Sequence, residues 1–256
     1  MRIGYVSYLN ALPLVCDLPE LAPTTEFIAA PPGLLADDLA AGRLDVALAP
    51  IVEWFKHPEY QLVSDAAIAC EGAVRSVMIF AKRPIAELES VLLDSHSRTS
   101  NELLKIILKH NFNLSPNYLT AEPGEAGTPL APEQLSVDAC LAIGDRALLM
   151  EGRYPVVVDL GEEWLKLTGL PFVFACWLGR PGIDCEQLAD ALAAARDRGI
   201  TRLVALAEEA APRLGLPTAL CRDYLRDNIS FKFTLAASKG LDEFRRRWLE
   251  MQPSSC

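Results

Sequence analysis

The sequence lacks the features that mark membrane proteins and secreted proteins. No run of about 18 apolar residues occurs, so no membrane-spanning helix is predicted. The stretch 1–7 reads as a strand and has neither the long apolar core nor the small-residue cleavage site of a secretory signal. The seven cysteines are scattered and odd in number, which is typical of reduced thiols rather than of a disulfide framework. We therefore expect a cytoplasmic protein.

Motifs of the common catalytic and metal-binding classes are absent as well. No C-x-x-C pair occurs, and His57, His96 and His110 do not have the spacing of metal ligands, so no metal site is expected. There is no G-x-S-x-G that would present a serine nucleophile, no P-loop, and no G-x-G-x-x-G after a strand. His96 lies in a serine-rich turn, where a solvated side chain is more common than a catalytic one.

Positive charge is scarce. Lys and Arg number 24 against 34 Asp and Glu, which gives a formal net charge of -10. Such an acidic protein is a poor partner for nucleic acid or for an anionic membrane. An anionic ligand would have to be attracted locally, by helix N-termini and individual arginines.

The order of apolar runs predicts an α/β protein. The 256 residues are 51% apolar, which allows a large core and one or two domains. Strands at 1–7, 25–28 and 45–49 alternate with helices, the pattern of a parallel sheet covered on both faces. A second set has strands at 90–93, 139–143 and 156–159 and helices at 98–110, 145–150 and 162–168. Other predicted elements are short strands at 60–63, 66–70, 74–80 and 229–235, an aromatic strand at 172–178, an exposed loop at 121–132, and helices at 187–198, 201–213, 217–226 and 241–251.

Two α/β sets in one chain predict two lobes, the second inserted into the first. We place lobe I at residues 1–83 plus 179–256 and lobe II at 84–178. Proteins of this layout hold ligands in a cleft between the lobes, at the carboxyl ends of the strands. Hinges near residues 82–85 and 176–181 would close the cleft.

The serine-rich turn Asp94–Ser100 is the strongest candidate for a binding site. It lies between an apolar strand and an amphipathic helix, and a helix N-terminus with unpaired N–H groups suits a carboxylate or a phosphate. Ser97 would be the N-cap, and Arg98 could make a two-pronged contact to a carboxylate. Thr99 and Ser100 could add hydroxyl donors. Ordinary helix capping explains the same residues equally well.

Other polar residues also follow predicted strands. These candidates are Ser7, Tyr8 and Asn10 after the first strand and Gly144 and Asp145 after the strand at 139–143. Helix capping is the alternative interpretation for Asn10 and Asp145, and a simple turn is the alternative for Gly144. Ser76, inside an apolar strand, is either a small filler or a hydroxyl that faces the cleft.

These residues belong to blocks in which the sequence resembles the chorismate dehydratases of menaquinone biosynthesis, which begin the futalosine route. The blocks run in order from residue 2 to residue 177, and the helical C-terminal third carries much less of the likeness. They are Arg2–Leu14, Asp45–Glu53, Gly72–Val77, Asp94–Ser100, Ile143–Leu148, Asp159–Trp164, Thr168–Ala175 and Trp177. The resemblance implies the two-lobed fold of type 2 periplasmic binding proteins, used as an enzyme.

The resemblance also implies loss of water from chorismate to give 3-[(1-carboxyvinyl)oxy]benzoate, with no redox cofactor. On this hypothesis the Ser97–Thr99 corner binds the ring carboxylate, and Asn10 orients the leaving hydroxyl or the ether side chain. Ser76, with the Val77 N–H, binds the second carboxylate. The base is either Asp145 or the enolpyruvyl carboxylate of the substrate itself.

Two alternatives of other kinds remain at this point. The first is a non-catalytic binding protein or sensing domain of the same fold, because fold does not determine function. The absence of an export signal and of a DNA-binding helix-turn-helix is evidence against it. The second is another enzyme of the same fold, such as the later enzyme of the route that cleaves the dehypoxanthine compound. The oligomeric state is not indicated by the sequence.

Overall fold

The computed structural model of the protein describes residues 1–120 and 130–252. The strands of these residues are β1 Arg2–Tyr5, β2 Glu26–Ala29, β3 Val46–Pro50, β4 Gln61–Cys70, β5 Val77–Ala81, β6 Ser90–Leu93, β7 Asn117–Thr120, β8 Ala139–Ile143, β9 Val156–Asp159, β10 Phe172–Gly179 and β11 Ser230–Lys232. The helices are α1 Leu12–Val15, α2 Leu18–Leu21, α3 Pro32–Ala40, α4 Val52–Lys56, α5 Arg98–Phe112, α6 Gly144–Met150, α7 Leu160–Thr168, α8 Glu186–Thr201, α9 Leu203–Leu214, α10 Thr218–Asp223 and α11 Leu235–Met251.

Residues 1–70 and 173–234 form one compact unit around a sheet of strand order β11-β4-β10-β3-β1-β2. β1 runs parallel to β2 and β3, as the alternation of strands and helices predicts. All residues of β3 are buried, which suits a strand covered on both faces. α3 starts at Pro32 because a proline in the first helical position loses no hydrogen bond.

Residues 71–172 and 235–252 form the second compact unit, in which the strand order is β7-β6-β8-β5-β9. β6 is parallel to β7 and β8, but β5 is antiparallel to β8 and β9. Val77, the first residue of β5, therefore lies beside Ile143, the last residue of β8. One edge of this sheet thus collects the carboxyl ends of β6, β8 and β9, the starts of the helices that follow them, and the loop before β5. We call it the polar edge; it comprises residues 74–77, 94–100, 143–146 and 159–162.

The parallel arrangement predicted for the strands at 1–7, 25–28 and 45–49 is confirmed, whereas β5 and β10, for which the sequence predicts no direction, run antiparallel to neighbouring strands. β10 runs antiparallel to β3, and β5 runs antiparallel to both of its neighbours. Parallel neighbours arise where a strand, a crossover helix and the next strand follow one another in the same sheet. β5 and β10 instead begin where the chain has just passed from one unit into the other, so no crossover dictates their direction.

β4 is one strand where the sequence predicts two. Ser64 and Asp65 interrupt its apolar pattern, but the Asp65 carboxylate is paired with the buried guanidinium of Arg196 on α8. A largely buried strand can contain a charged residue when that charge is paired. The contact with Arg196 therefore allows the two predicted strands to form one continuous strand. The sequence pattern also misses the short strand β7, and α11 begins six residues before the predicted start at residue 241.

The chain passes between the two units after residues 70, 172 and 234. α11 groups with the second unit, where Phe244 packs edge-on against Trp164 and Phe172, with ring centroids 6.1 and 4.9 Å apart. The sequence analysis assigns this helix to lobe I. The division into lobes 1–83 plus 179–256 and 84–178 stays a prediction.

Of the predicted loop at 121–132, residues 121–129 lie outside the described residues, and Pro132 begins a 3-10 turn. Within residues 1–120 and 130–252, none of the helices has the length and apolar character needed to cross a bilayer. The cysteines in these ranges are free thiols, and all except the half-buried Cys16 are buried.

Candidate functional site

The serine-rich turn forms the start of α5, as predicted. Ser97 is the N-cap, and its Oγ accepts the N–H of Ser100 at 3.3 Å. Ser97, Thr99 and Ser100 are buried and Arg98 is half-buried. α5 has 15 residues, so the full partial charge of a helix N-terminus develops at this corner. Capping therefore accounts for one contact of Ser97, and the corner also has the charge that favours an anion.

Two side chains hold this turn in one conformation. The Asn101 amide donates to the Asp94 carbonyl at 2.9 Å, and its Oδ1 accepts the Asp94 N–H at 3.2 Å. The Asp94 carboxylate accepts the His96 N–H at 2.9 Å. These hydrogen bonds within the turn fix its backbone conformation, although the turn is neither helix nor strand.

The loop before β5 meets the start of α6 at the polar edge. Gly144, with a φ of 60° that glycine adopts without strain, donates its N–H to the Ser76 carbonyl at 2.8 Å. Ser76 is completely buried, which fits both a small filler and a hydroxyl that faces a closed site. Asp145 is the half-buried second residue of α6.

Asp159, which the sequence analysis does not single out, fixes the same loop. Its carboxylate accepts the N–H groups of Val74 and Arg75 at 3.0 and 2.5 Å, and it also caps α7 through Gly161 and Glu162. Arg75 is in the left-handed region with a φ of 61°. This conformation costs about 1–3 kcal/mol in a residue other than glycine, and the hydrogen bonds to Asp159 maintain it. Burial raises the pKa of Asp159, and the four N–H donors act against that rise.

Asp94 and Arg146, which were also not singled out, form a buried ion pair at the polar edge. Their side chains are 2% and 4% exposed, with Nη1 of Arg146 at 3.3 Å from Oδ2 of Asp94. Burial raises the pKa of Asp94, while the N–H groups of His96 and Ile143 and the Arg146 charge lower it. The Nε of Arg146 is buried and has no hydrogen-bond partner in the described part of the chain. Both residues lie within the blocks in which the sequence resembles the chorismate dehydratases, and that resemblance is the sequence feature from which they could have been predicted.

The remaining candidates belong to the first unit. Ser7 is exposed and Tyr8 half-buried, and Asn10 is 7% exposed within a 3-10 turn, Leu9–Ala11. Asn10 caps neither this turn nor α1, so the capping interpretation of Asn10 is wrong. Its Oδ1 is buried and accepts no hydrogen bond from the residues that the structure describes. An unsatisfied buried acceptor costs about 1–3 kcal/mol, so this group lies ready to accept a donor from a ligand.

The structure thus brings most of the candidates together in one unit. The polar edge holds Ser76, Val77, Ser97, Arg98, Thr99, Ser100, Gly144 and Asp145. This edge combines a helix N-terminus, hydroxyl groups and three arginines with four acidic side chains, those of Asp94, Asp145, Asp159 and Glu162. Arg75 and Arg146 are paired with Glu151 and Asp94. Ser7, Tyr8 and Asn10 form a separate corner at the end of β1 in the first unit. No group of three or more His, Cys, Asp or Glu side chains within residues 1–120 and 130–252 could hold a metal ion.

Several solved structures have similar folds, and two of the following three are described as a periplasmic binding protein or as having its fold. Protein AF1704 from Archaeoglobus fulgidus has a TM-score of 0.81 and 14% identity, and the alignment covers 97% of this chain and 96% of that chain. The Candida albicans CA3427 product, described as having the generic periplasmic binding protein fold, has a TM-score of 0.70 and 10% identity over 100% and 92% of the two chains. The aliphatic sulphonate binding protein SsuA of Escherichia coli has a TM-score of 0.63 and 19% identity over 98% and 86%. These likenesses confirm the predicted periplasmic-binding-protein-like α/β fold.

Relatives at higher identity identify the family. The chorismate dehydratase of Thermus thermophilus is 34% identical over 206 residues, which is 73% of each chain. The chorismate dehydratase of Campylobacter jejuni is 28% identical over 182 residues, which is 68% of this chain and 66%, just under two thirds, of that protein. A family described as menaquinone biosynthesis matches residues 1–250. The chain therefore belongs to the menaquinone biosynthesis family.

Proposed function

We propose that this protein is a chorismate dehydratase, which removes water from chorismate to give 3-[(1-carboxyvinyl)oxy]benzoate. The observation that carries the proposal is the 34% identity, over 73% of each chain, to a Thermus thermophilus protein of that name. Chorismate has two carboxylates and a hydroxyl group. The candidate residues offer matching partners: a helix N-terminus, hydroxyl groups and Arg98 at the polar edge, and on Asn10 an acceptor that has no donor among the described residues. The expected cytoplasmic location stays a prediction.

The elimination explains why the ring carboxylate needs fixed donors. Removal of the proton at C3 pushes negative charge through the conjugated diene toward this carboxylate. The N-terminus of α5, with Ser97, Arg98 and Thr99, is proposed to bind it and to stabilise the charge as it develops. Fixed donors in such positions lower barriers by about 2.7–4 kcal/mol each in oxyanion holes. Loss of the C4 hydroxyl then makes the ring aromatic, and no oxidant is needed.

Asn10 is proposed to orient the leaving hydroxyl. Its buried Oδ1 lacks a donor in the described residues, and the C4 hydroxyl can supply one. The cost of keeping this acceptor unpaired in the free protein is recovered when the substrate binds. Ser76 and the Val77 N–H are proposed to bind the enolpyruvyl carboxylate, with Ser7, Tyr8, Ser100 and Gly144 as further contacts.

The proton at C3 is proposed to go to the enolpyruvyl carboxylate of the substrate, and the carboxylic acid so formed then protonates the departing C4 hydroxyl, which leaves as water. Asp145, half-buried at the start of α6, is the alternative base. The Asp145 carboxylate would be a third negative charge beside the two of the substrate, which is unfavourable because like charges in a partly buried site repel strongly. We therefore assign Asp145 no proton transfer.

The purified protein should convert chorismate alone into the dehydrated aromatic acid. The measurement is mass spectrometry of the reaction over time, with a protein-free sample to correct for spontaneous decay of chorismate. Binding of chorismate by calorimetry without product would favour the non-catalytic alternative. Neither binding nor product would contradict the proposal.

Asn10→Ala should lower kcat by about 100-fold or more and leave the melting temperature unchanged or raised. Turnover falls because the leaving hydroxyl loses its partner, and stability does not fall because an unpaired buried acceptor is removed. Steady-state kinetics and thermal unfolding measure the two effects. Asn117→Ala, at an exposed asparagine at the start of β7, is the matched control and should change neither. A kcat within threefold of the original would remove Asn10 from the mechanism.

Arg98→Gln should raise KM for chorismate and lower kcat/KM by about 100-fold, and Arg98→Lys should restore only part of this loss. A lysine keeps the charge but cannot make the two-pronged contact to a carboxylate. Lys109→Gln makes the same change of charge at the other end of α5 and serves as the control. Equal kinetics for Arg98→Gln and Lys109→Gln would exclude the proposed contact.

Asp145→Asn should keep kcat within about tenfold, and the pH profile of kcat should not change its shape. Removal of a general base typically lowers rates by about 100-fold to 10,000-fold, so the two assignments are well separated. The profile is recorded for both proteins under saturating chorismate. A loss of 100-fold or more, with disappearance of the limb on the acidic side, would assign the proton transfer to Asp145.

A further inference from the structure

The Asp94–Arg146 pair links the two corners of the polar edge. Asp94 follows β6 directly, and its carboxylate holds the N–H groups of His96 and Ile143 together with the Arg146 guanidinium. Ile143 ends β8, and Arg146 is the third residue of α6. One carboxylate therefore sets the position of the turn before α5 relative to the start of α6.

Stability is a weak reason for a pair of this kind. Removing two charges from water costs several kcal/mol per ion, and replacing a buried pair by apolar residues is often neutral or stabilising. The contact itself is long, at 3.3 Å, and the Nε of Arg146 has no hydrogen-bond partner among the described residues. The pair thus leaves part of the hydrogen-bonding capacity of the guanidinium unused, inside a region that excludes water.

A buried, partly compensated guanidinium has an electrostatic effect on its surroundings. Interactions in a protein interior are weakened less by the medium than those in water, so such a charge acts over several ångströms without contact. Its neighbours at the polar edge are the start of α5 and the loop before β5, and the protein as a whole is acidic, with a net charge of -10. The Asp94 carboxylate offsets this charge, so loss of Arg146 alone would leave a buried negative charge beside the start of α5 that repels an anion.

We infer that Asp94 and Arg146 are positioning residues of the substrate site. Asp94 holds the Ser97–Ser100 corner and the Gly144–Asp145 corner in register, and Arg146 supplies buried positive charge that strengthens binding of the dianion without touching it. This inference rests on the proposed function and adds two residues to it.

The test compares variants that keep or remove the charge of Arg146. Arg146→Met removes the charge at similar length and should raise KM for chorismate about tenfold. Arg146→Lys keeps the charge and should hold KM within about threefold of the original. A merely structural role would lower the melting temperature and the active fraction, which lysine could restore by pairing with Asp94, but it would not move KM.

A matched control and a second variant keep the test decisive. Arg196→Met removes another buried, paired arginine, on α8 of the first unit, and should lower the melting temperature without changing KM. The double variant Asp94→Leu/Arg146→Met replaces the whole pair by apolar residues, so it should fold even if Arg146→Met does not. It should show the raised KM, and a lower kcat because the two corners lose their register.

The outcomes separate this inference from the function on which it rests. An original protein that does not dehydrate chorismate overturns the proposed function, and this inference with it. An active original protein whose Arg146→Met and double variants keep the same KM and kcat overturns the inference alone. Raised KM values in both variants, with recovery in Arg146→Lys and none of these effects in Arg196→Met, support it.

Discussion

The polar edge of the second unit depends on two carboxylates, the buried Asp94 and the half-buried Asp159. Asp94 directly follows β6 and Asp159 is the last residue of β9, and each accepts backbone N–H groups from a loop and from a neighbouring element. Burying them costs free energy, which appears as a raised pKa for both. The cost is offset because N–H groups in loops and at helix starts have no partner in a helix or a sheet and would otherwise be unsatisfied. Two short irregular segments are thereby held in single conformations.

An acidic protein that acts on a dianion has to create positive potential locally. The proposed sources of this potential in the second unit are the first turn of α5, the half-buried Arg98 and the buried Arg146. In the first unit, the neutral Asn10 has an Oδ1 with no hydrogen-bond donor among residues 1–120 and 130–252, which lowers the stability of the free protein. Stability lost at such a position is a common accompaniment of binding and catalysis.

The fold is shared with proteins of other kinds, such as the aliphatic sulphonate binding protein of Escherichia coli. Likeness of fold at 19% identity therefore carries no information about chemistry. Binding a carboxylate requires donors, whereas elimination also requires that the leaving group be oriented and that the developing charge be stabilised. The proposed distinction between a receptor and an enzyme on this fold lies in a few residues such as Asn10 and Arg98, not in the sheets that hold them.

The local features of this protein could be predicted from its sequence. The bounds of β6, β8 and β9, the N-cap at Ser97 and the family resemblance are read from short stretches, because capping and the alternation of apolar residues depend on near neighbours. Long-range packing sets the antiparallel direction of β5, which brings Ser76 next to Gly144, and it places Arg196 beside Asp65, so that β4 continues through this charged residue. It also paired Asp94 with Arg146 and left Asn10 without a donor in the described residues. Residues far apart in the chain meet in these contacts, and the periodicity of a single segment contains no record of which distant segment packs against it.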